Sequence, residues 1–241
     1  TDVGPDDFTG DISTTGVLTP GKSITGDIQI ANEADWFRVE LSAGRIYTFD
    51  LKGTDSGGGT LDNPALQIRN EFGGSLPYSN TLPFNYDRDC DSGTGRDARL
   101  TFVPLTSGTY YLSATSQNFT DFATGTYTLA ATDLGADDHI GGTTTTSTFE
   151  PGTSATGSIQ FVGDQDWFKI DLTGGTTYIF GLQGTASGHG TLAVPSLRIH
   201  DNAGYMLASD YKGYGASNDA LLTYTPTNSG TYFLSAVSGD N

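Results

Sequence analysis

The chain has 241 residues, with 28 acidic against 11 basic side chains and a formal net charge of −17. That balance excludes nucleic acid and anionic membrane as partners, since both need a positive surface. No apolar run approaches the roughly 18 residues of a membrane span, and the lone cysteine, Cys90, excludes an intramolecular disulfide.

From the N-terminus, an acidic pair, Asp6-Asp7, opens the chain, and short segments of alternating hydrophobicity follow. They are Phe37/Val39/Leu41, Tyr47/Phe49/Leu51, Leu66/Ile68 and Tyr110/Leu112/Ala114, closed by the run Gly125–Ala130. Period-2 alternation bounded by Gly, Asp, Asn and Ser predicts strands of an antiparallel sheet, with Phe37, Leu41 and Phe49 inward and Arg38, Glu40 and Asp50 outward. Asp137-Asp138 then restarts the same series: Phe168/Ile170/Leu172, Tyr178/Phe180/Leu182, Leu197/Ile199 and Tyr232/Leu234/Ala236. The polar stretch Gly141 to Ser147 matches residues 12–16 of the first series and reads as a surface segment within the second module, not as a linker.

The restart is a repeat. Asp35-Trp36-Phe37 returns as Asp166-Trp167-Phe168, and Gly59-Thr60-Leu61 with Pro64 as Gly190-Thr191-Leu192 with Pro195, at an offset of 131 (167 − 36). Ser107–Tyr110 recurs as Ser229–Tyr232 at an offset of 122 (232 − 110), so the first copy carries nine extra residues between about Leu76 and Asp97. The fold class predicted is all-β: two tandem antiparallel β-sandwich domains, jelly-roll-like, over residues 1–133 and 134–241. Asn241 aligns with Phe119, so the second copy lacks an equivalent of the Gly125–Ala130 strand. Either the fragment ends early or another chain supplies that strand, and Tyr232–Val237 should exchange amide hydrogens faster than Tyr110–Thr115. Thr1 opens no signal peptide, and the chain reads as a mature piece of something larger.

The acidity is almost all aspartate, because glutamate occurs only at 33, 40, 71 and 150. Aspartate favours loops and is a common ligand of hard cations. A salt-adapted surface is the rival explanation, but charged residues make up only 16% of the chain. The first candidate metal site joins Asp6, Asp7, Asn32, Glu33 and Asp35; the second joins Asp137, Asp138, Asp164 and Asp166. Calcium takes six to eight oxygens, which a loop folded against a strand end can assemble; the alternative is that these acids only cap turns. A further candidate is confined to the first copy's insertion: Asp87, Asp89 and Asp91, followed by Asp97. Its D-x-D-x-D spacing is that of an EF-hand opening, but glycine falls at the seventh position and no glutamate stands at the twelfth. A solvated acidic loop is the alternative there.

In order and spacing, the chain presents Asp-Asp-Phe, Thr-Gly-x-Ile, Asp-Trp-Phe, Ala-Gly-x-x-Tyr, Gly-Thr-Leu-x-x-Pro-x-Leu, Asp-Ala-x-Leu-Thr-Phe and Ser-Gly-Thr-Tyr-Tyr-Leu. Over almost its whole length, twice, the chain resembles the bacterial pre-peptidase C-terminal domain family. The resemblance implies secreted jelly-roll modules attached to proteases and other exported proteins, with the collagen-binding modules of clostridial collagenases as relatives. Those relatives bind calcium between an acidic N-terminal segment and the acids before an aromatic strand. By position, this implicates Asp6, Asp7, Asn32 and Asp35, then Asp137, Asp138 and Asp166. Gly163 stands where the first copy has Asn32, and the upstream glutamates of the collagen binders are absent.

Catalysis finds no constellation: His139, His189 and His200 are scattered and read as surface residues, and no Gly-x-Ser-x-Gly elbow is present. Trp36 and Trp167 read as packing against a sandwich edge. Tyr78, Phe84 and Tyr86 in the first copy, with Tyr205, Tyr211 and Tyr214 in the second, are candidates for a contact surface suited to polysaccharide or fibrous protein. The expected function is a non-catalytic, calcium-binding, extracellular or cell-surface module pair that anchors or positions a larger secreted protein. A structural spacer of a surface adhesin, with calcium as its one ligand, is the alternative.

Overall fold

The computed structural model describes residues 5–76, 88–89, 92–117, 123–211 and 219–239. They divide into two compact units at the Ala136–Asp137 junction, and every strand pairing in both is antiparallel apart from two isolated bridges. The protein is all-β, with no helix among the described residues.

Among the described residues the first unit has eight strands: β1 (Ser23–Ile28), β2 (Asp35–Leu41), β3 (Arg45–Lys52), β4 (Pro64–Arg69), β5 (Arg88–Asp89), β6 (Ala98–Phe102), β7 (Gly108–Ser116) and β8 (Gly125–Ala136). They form two four-stranded sheets, ordered β1-β8-β3-β6 and β2-β7-β4-β5. That is the strand order of a jelly roll. The alternation in sequence sets which residues enter the core. In β2, Phe37, Val39 and Leu41 are buried while Arg38 and Glu40 are exposed. Opposite them stand Phe49 and Leu51 of β3, Leu100 and Phe102 of β6 and Leu129 of β8, all in one buried cluster. Each such side chain contributes roughly 1.5–3 kcal/mol by leaving water. The turn from β2 to β3 needs Gly44, whose φ of 69° is in the left-handed region, and its N–H donates to Pro104 O at 2.9 Å.

The second unit contains β9 (Gln165–Leu172), β10 (Tyr178–Leu182), β11 (Pro195–His200), β12 (Met206–Tyr211), β13 (Ala220–Tyr224) and β14 (Gly230–Ser238). The sheet β12-β11-β14-β9 repeats β5-β4-β7-β2 strand for strand, while the other sheet is reduced to the pair β10-β13. No strand among the described residues takes the place of β8. The segment 154–159, which aligns with β1, forms no strand and lies almost wholly exposed. Its counterpart β1 has one partner only, β8, so losing that partner removes the whole ladder.

One expectation is corrected by this topology. β14 is flanked by β9 and β11 just as β7 is flanked by β2 and β4. Tyr232–Val237 are therefore paired on both sides, and it is β10, paired with β13 alone among the described residues, that has one neighbour where β3 has two. A second correction concerns His200, which is only 5% exposed and stacks on Trp167. It occupies the position of Arg69, which lies over Trp36 at 4.7 Å. Both tryptophans are buried against their sheets, as packing residues.

Candidate metal centre

In the first unit the chain entering β1 and the turn entering β2 meet at one end of the sandwich. Asp6 forms a tight turn, its Oδ1 accepting the Phe8 N–H at 3.1 Å, and Phe8 packs on Phe37 with ring centroids 4.7 Å apart. This apolar contact pins the acidic segment to the start of β2. Asp7 Oδ2 accepts the Asp27 N–H of β1 at 3.1 Å. Glu33 closes the turn from β1 to β2, its Oε2 accepting the N–H groups of Gln29 and Ile30. Asp35, the first residue of β2, is fully buried and its Oδ2 accepts the Tyr127 hydroxyl of β8 at 2.5 Å.

Carboxylate oxygens of Asp6, Glu33 and Asp35 lie within 4.8 Å of one another. Three like charges so placed repel by about 3.5 kcal/mol per pair at an effective dielectric of about 20. No described lysine or arginine forms an ion pair with any of them. Burial, opposed by the Tyr127 hydrogen bond and reinforced by the neighbouring acids, pushes the Asp35 carboxyl up to about 7. Asp35 Oδ1 is buried with no hydrogen-bond partner, an arrangement that costs a free carboxylate several kcal/mol and suits one that ligates a cation.

The second unit repeats three of these backbone bonds. Asp137 Oδ1 accepts the His139 N–H at 3.0 Å, Asp138 Oδ2 the Ser158 N–H at 2.9 Å, and Asp164 Oδ2 the Gln160 N–H at 2.6 Å. Oxygens of Asp137, Asp164 and Asp166 again lie within 4.8 Å of one another, and Asp166 Oδ1 is again buried without a partner. Burial and the adjoining acids raise Asp164 to about 6 and Asp166 to about 8. His139 stands where the first unit has Phe8 and packs on Phe168 at 4.4 Å. Its ring nitrogens are engaged by Ser147 Oγ at 2.7 Å and Thr156 O at 2.9 Å, so the donor set is oxygen alone. Such a set fits a hard cation better than zinc or copper.

Of the remaining predicted residues, Asp7 and Asp138 stay beside the triads, their charges adding to those that raise Asp35 and Asp166. Both hold the strand-entry backbone there. Asn32 is exposed, at a φ of 67°, and Gly163 takes the same place at 90°; the left-handed turn accounts for Asn and Gly alternating there. Asp97 is buried in the sandwich, its Oδ1 accepting the Gly53 N–H at 2.9 Å. Asp219 makes the same 2.9 Å bond to Gly184 in the copy that has no insertion, so this aspartate braces a loop common to both. Asp87 and Asp91 lie outside the described residues, as do Tyr78, Phe84, Tyr86 and Tyr214. Asp89 and Tyr211 are described in their backbone only. Tyr205 is 61% exposed, beside exposed Met206 and Leu207.

Sequence reasoning missed Tyr127 as a partner of the site. No spacing or alternation marks it, because the contact runs between β8 and β2 on opposite sheets.

No family model matches the chain, and no curated protein matches it. Among solved structures it is similar to the pre-peptidase C-terminal domain of the collagenase from Bacillus anthracis, at 15% identity and a TM-score of 0.31, covering 48% of this chain and 92% of that one. It is also similar to the CUB1-EGF-CUB2 domains of rat MASP-1, at 10% identity and a TM-score of 0.23, covering 93% of this chain and 95% of that one.

Proposed function

We propose that the chain is a pair of calcium-braced, non-catalytic modules of the pre-peptidase C-terminal kind, carried outside the cell by a larger exported protein that they anchor or position. The single observation behind this reading is the duplicated carboxylate triad, with the same buried, unpartnered aspartate oxygen in each copy. Asp6, Glu33 and Asp35 would hold one ion, and Asp137, Asp164 and Asp166 the other. The bound cation supplies charge neutralisation, tying the entry segment of each module to its first core strand. Bound at 100 times Kd, it stabilises the folded state by about 2.7 kcal/mol.

The exposed Tyr205-Met206-Leu207 edge is suited to contact with polysaccharide or fibrous protein, to which an acidic surface is no obstacle. Burial of both tryptophans favours a second reading, a spacer with calcium as its one ligand. Pull-down of the intact chain on insoluble collagen, chitin and cellulose separates the two: an anchoring pair is retained on at least one matrix, and a spacer on none.

A further inference from the structure

We propose that His200 is an acid-released latch on the hairpin turn between β11 and β12, the turn that carries the exposed Tyr205-Met206-Leu207 edge. The neutral imidazole holds the turn closed, and protonation frees it. Nothing in this rests on the cation sites.

Both units build the turn on one plan. In the first, Asn70 Oδ1 accepts the N–H groups of Phe72 and Gly74 at 3.0 and 2.9 Å, and Gly73, at a φ of 78°, offers its carbonyl to Arg69 Nη1 at 3.2 Å. In the second, Asp201 Oδ1 accepts the N–H groups of Ala203 and Tyr205, both at 2.9 Å, and Gly204, at a φ of 85°, offers its carbonyl to His200 Nδ1 at 3.1 Å. Each basic side chain also lies over a tryptophan, Arg69 at 4.7 Å from the Trp36 ring centroid and His200 with its ring 4.1 Å from that of Trp167. The turn is clasped from the same position in both units, by different chemistry.

Arginine keeps its proton at any pH the fold meets, so the first clasp is indifferent to acid. The second is not. Gly204 O can only accept, so His200 Nδ1 carries the proton of the neutral ring, and Nε2 accepts from the Ser235 hydroxyl at 3.0 Å. A second proton must go onto Nε2, against that hydroxyl, where His200 is 5% exposed and Ser235 is fully buried. Two charged groups act on the ring: Arg198 of its own strand, which opposes the cation, and Asp201 of the turn, which favours it. The strands packed around it present Trp167 of β9, Phe233 and Ser235 of β14 and Met206 of β12, none of them ionisable near neutral pH.

Burial outweighs Asp201 and lowers His200 to about 4 in the closed turn. In an open turn the ring meets water and protonates near 6.5. Between these values the opening equilibrium gains about tenfold for each unit of pH lost. Acid therefore loosens the Tyr205-Met206-Leu207 edge of the second unit and leaves the Phe72 turn of the first unit closed.

The test follows amide exchange of Ala203, Gly204 and Tyr205 in the intact chain from about pH 7.5 to about pH 4.5, each rate divided by the intrinsic rate at that pH. Protection should fall by about fiftyfold or more over this range, while Phe72, Gly73 and Gly74 stay level as the internal reference. His200→Arg, the residue of the first unit, should keep the turn protected and abolish the fall. Asp201→Asn, again the residue of the first unit, removes the neighbouring carboxylate and should leave the fall in place. A direct NMR titration of the His200 ring in the parent chain needs no variant and should show a midpoint well below that of a free histidine. Level protection in the parent chain overturns the proposal, as does a fall that survives His200→Arg, disappears in Asp201→Asn or is matched at Phe72–Gly74. A His200 midpoint at or above about 6.5 overturns it too.

Discussion

Tyr127 and Asp35 stand on opposite sheets of the first sandwich, 92 residues apart in sequence, and are joined by a 2.5 Å hydrogen bond from the hydroxyl to Oδ2. This bond fixes one oxygen of the carboxylate and leaves the other, Oδ1, buried without a partner. The same burial and negative surroundings push the tyrosine's own ionisation well above its ordinary range, so it is a permanent donor. Tyr127→Phe keeps the ring and removes the donor. We expect it to cost about 1.5–3 kcal/mol, read as a lower melting temperature of the first unit, and to weaken its cation affinity while that of the second unit stays unchanged.

Cation affinity should rise with pH. Asp35 lies near 7 and Asp166 near 8 in the metal-free fold, both raised chiefly by burial, and a ligating carboxylate must be ionised. Binding therefore releases protons below about pH 8. Without metal the linkage has the opposite sense. These raised carboxyls favour the fold at low pH, below the unfolded value, and that contribution is lost as pH rises through about 7 to 8. Calcium titration calorimetry in buffers of different ionisation enthalpy checks this: proton release should fall towards zero by about pH 9.

His200 gives the second unit a separate pH response. Burial against Trp167, with Arg198 adding repulsion, lowers it to about 4. It is therefore neutral in the fold when the unfolded chain already binds a proton. The sign follows: stability is full above the unfolded value near 6.5 and declines as pH falls from there to about 4. His200→Gln should flatten the stability slope over that window, measured by urea unfolding with calcium present.

Asp97 and Asp219 should behave as loop braces. Asp97→Ala leaves the Gly53 N–H without its acceptor, and Asp219→Ala does the same to Gly184. Each should lower the stability of its own unit by about 1–3 kcal/mol and leave calcium stoichiometry unchanged, which equilibrium dialysis with chelator-treated protein reads directly.

Much of the architecture was legible because core positions alternate. Phe37, Val39 and Leu41 against Arg38 and Glu40 give the buried face of β2 without further information, and the repeat carries β2, β3, β4 and β7 over to β9, β10, β11 and β14. The acids of both triads were also legible, since their recurrence at one offset separated them from the other aspartates. What period and spacing do not carry is contact between sheets. Tyr127 reads as an ordinary strand residue until β8 is laid across from β2. His200 reads as a surface histidine until its equivalence with Arg69 places it on a tryptophan ring. Asn32 stands in a left-handed turn, which spacing along the chain does not reveal.

The most direct test of two duplicated cation sites is a count of bound calcium in the intact chain, by native mass spectrometry with titration calorimetry. The account predicts two ions per chain, with Asp35→Ala and Asp166→Ala each removing one and the double variant removing both. Chelation should then lower the melting temperature of the parent by several degrees and leave the double variant unmoved. A chain that binds no calcium, or that keeps both ions in the double variant, would contradict it.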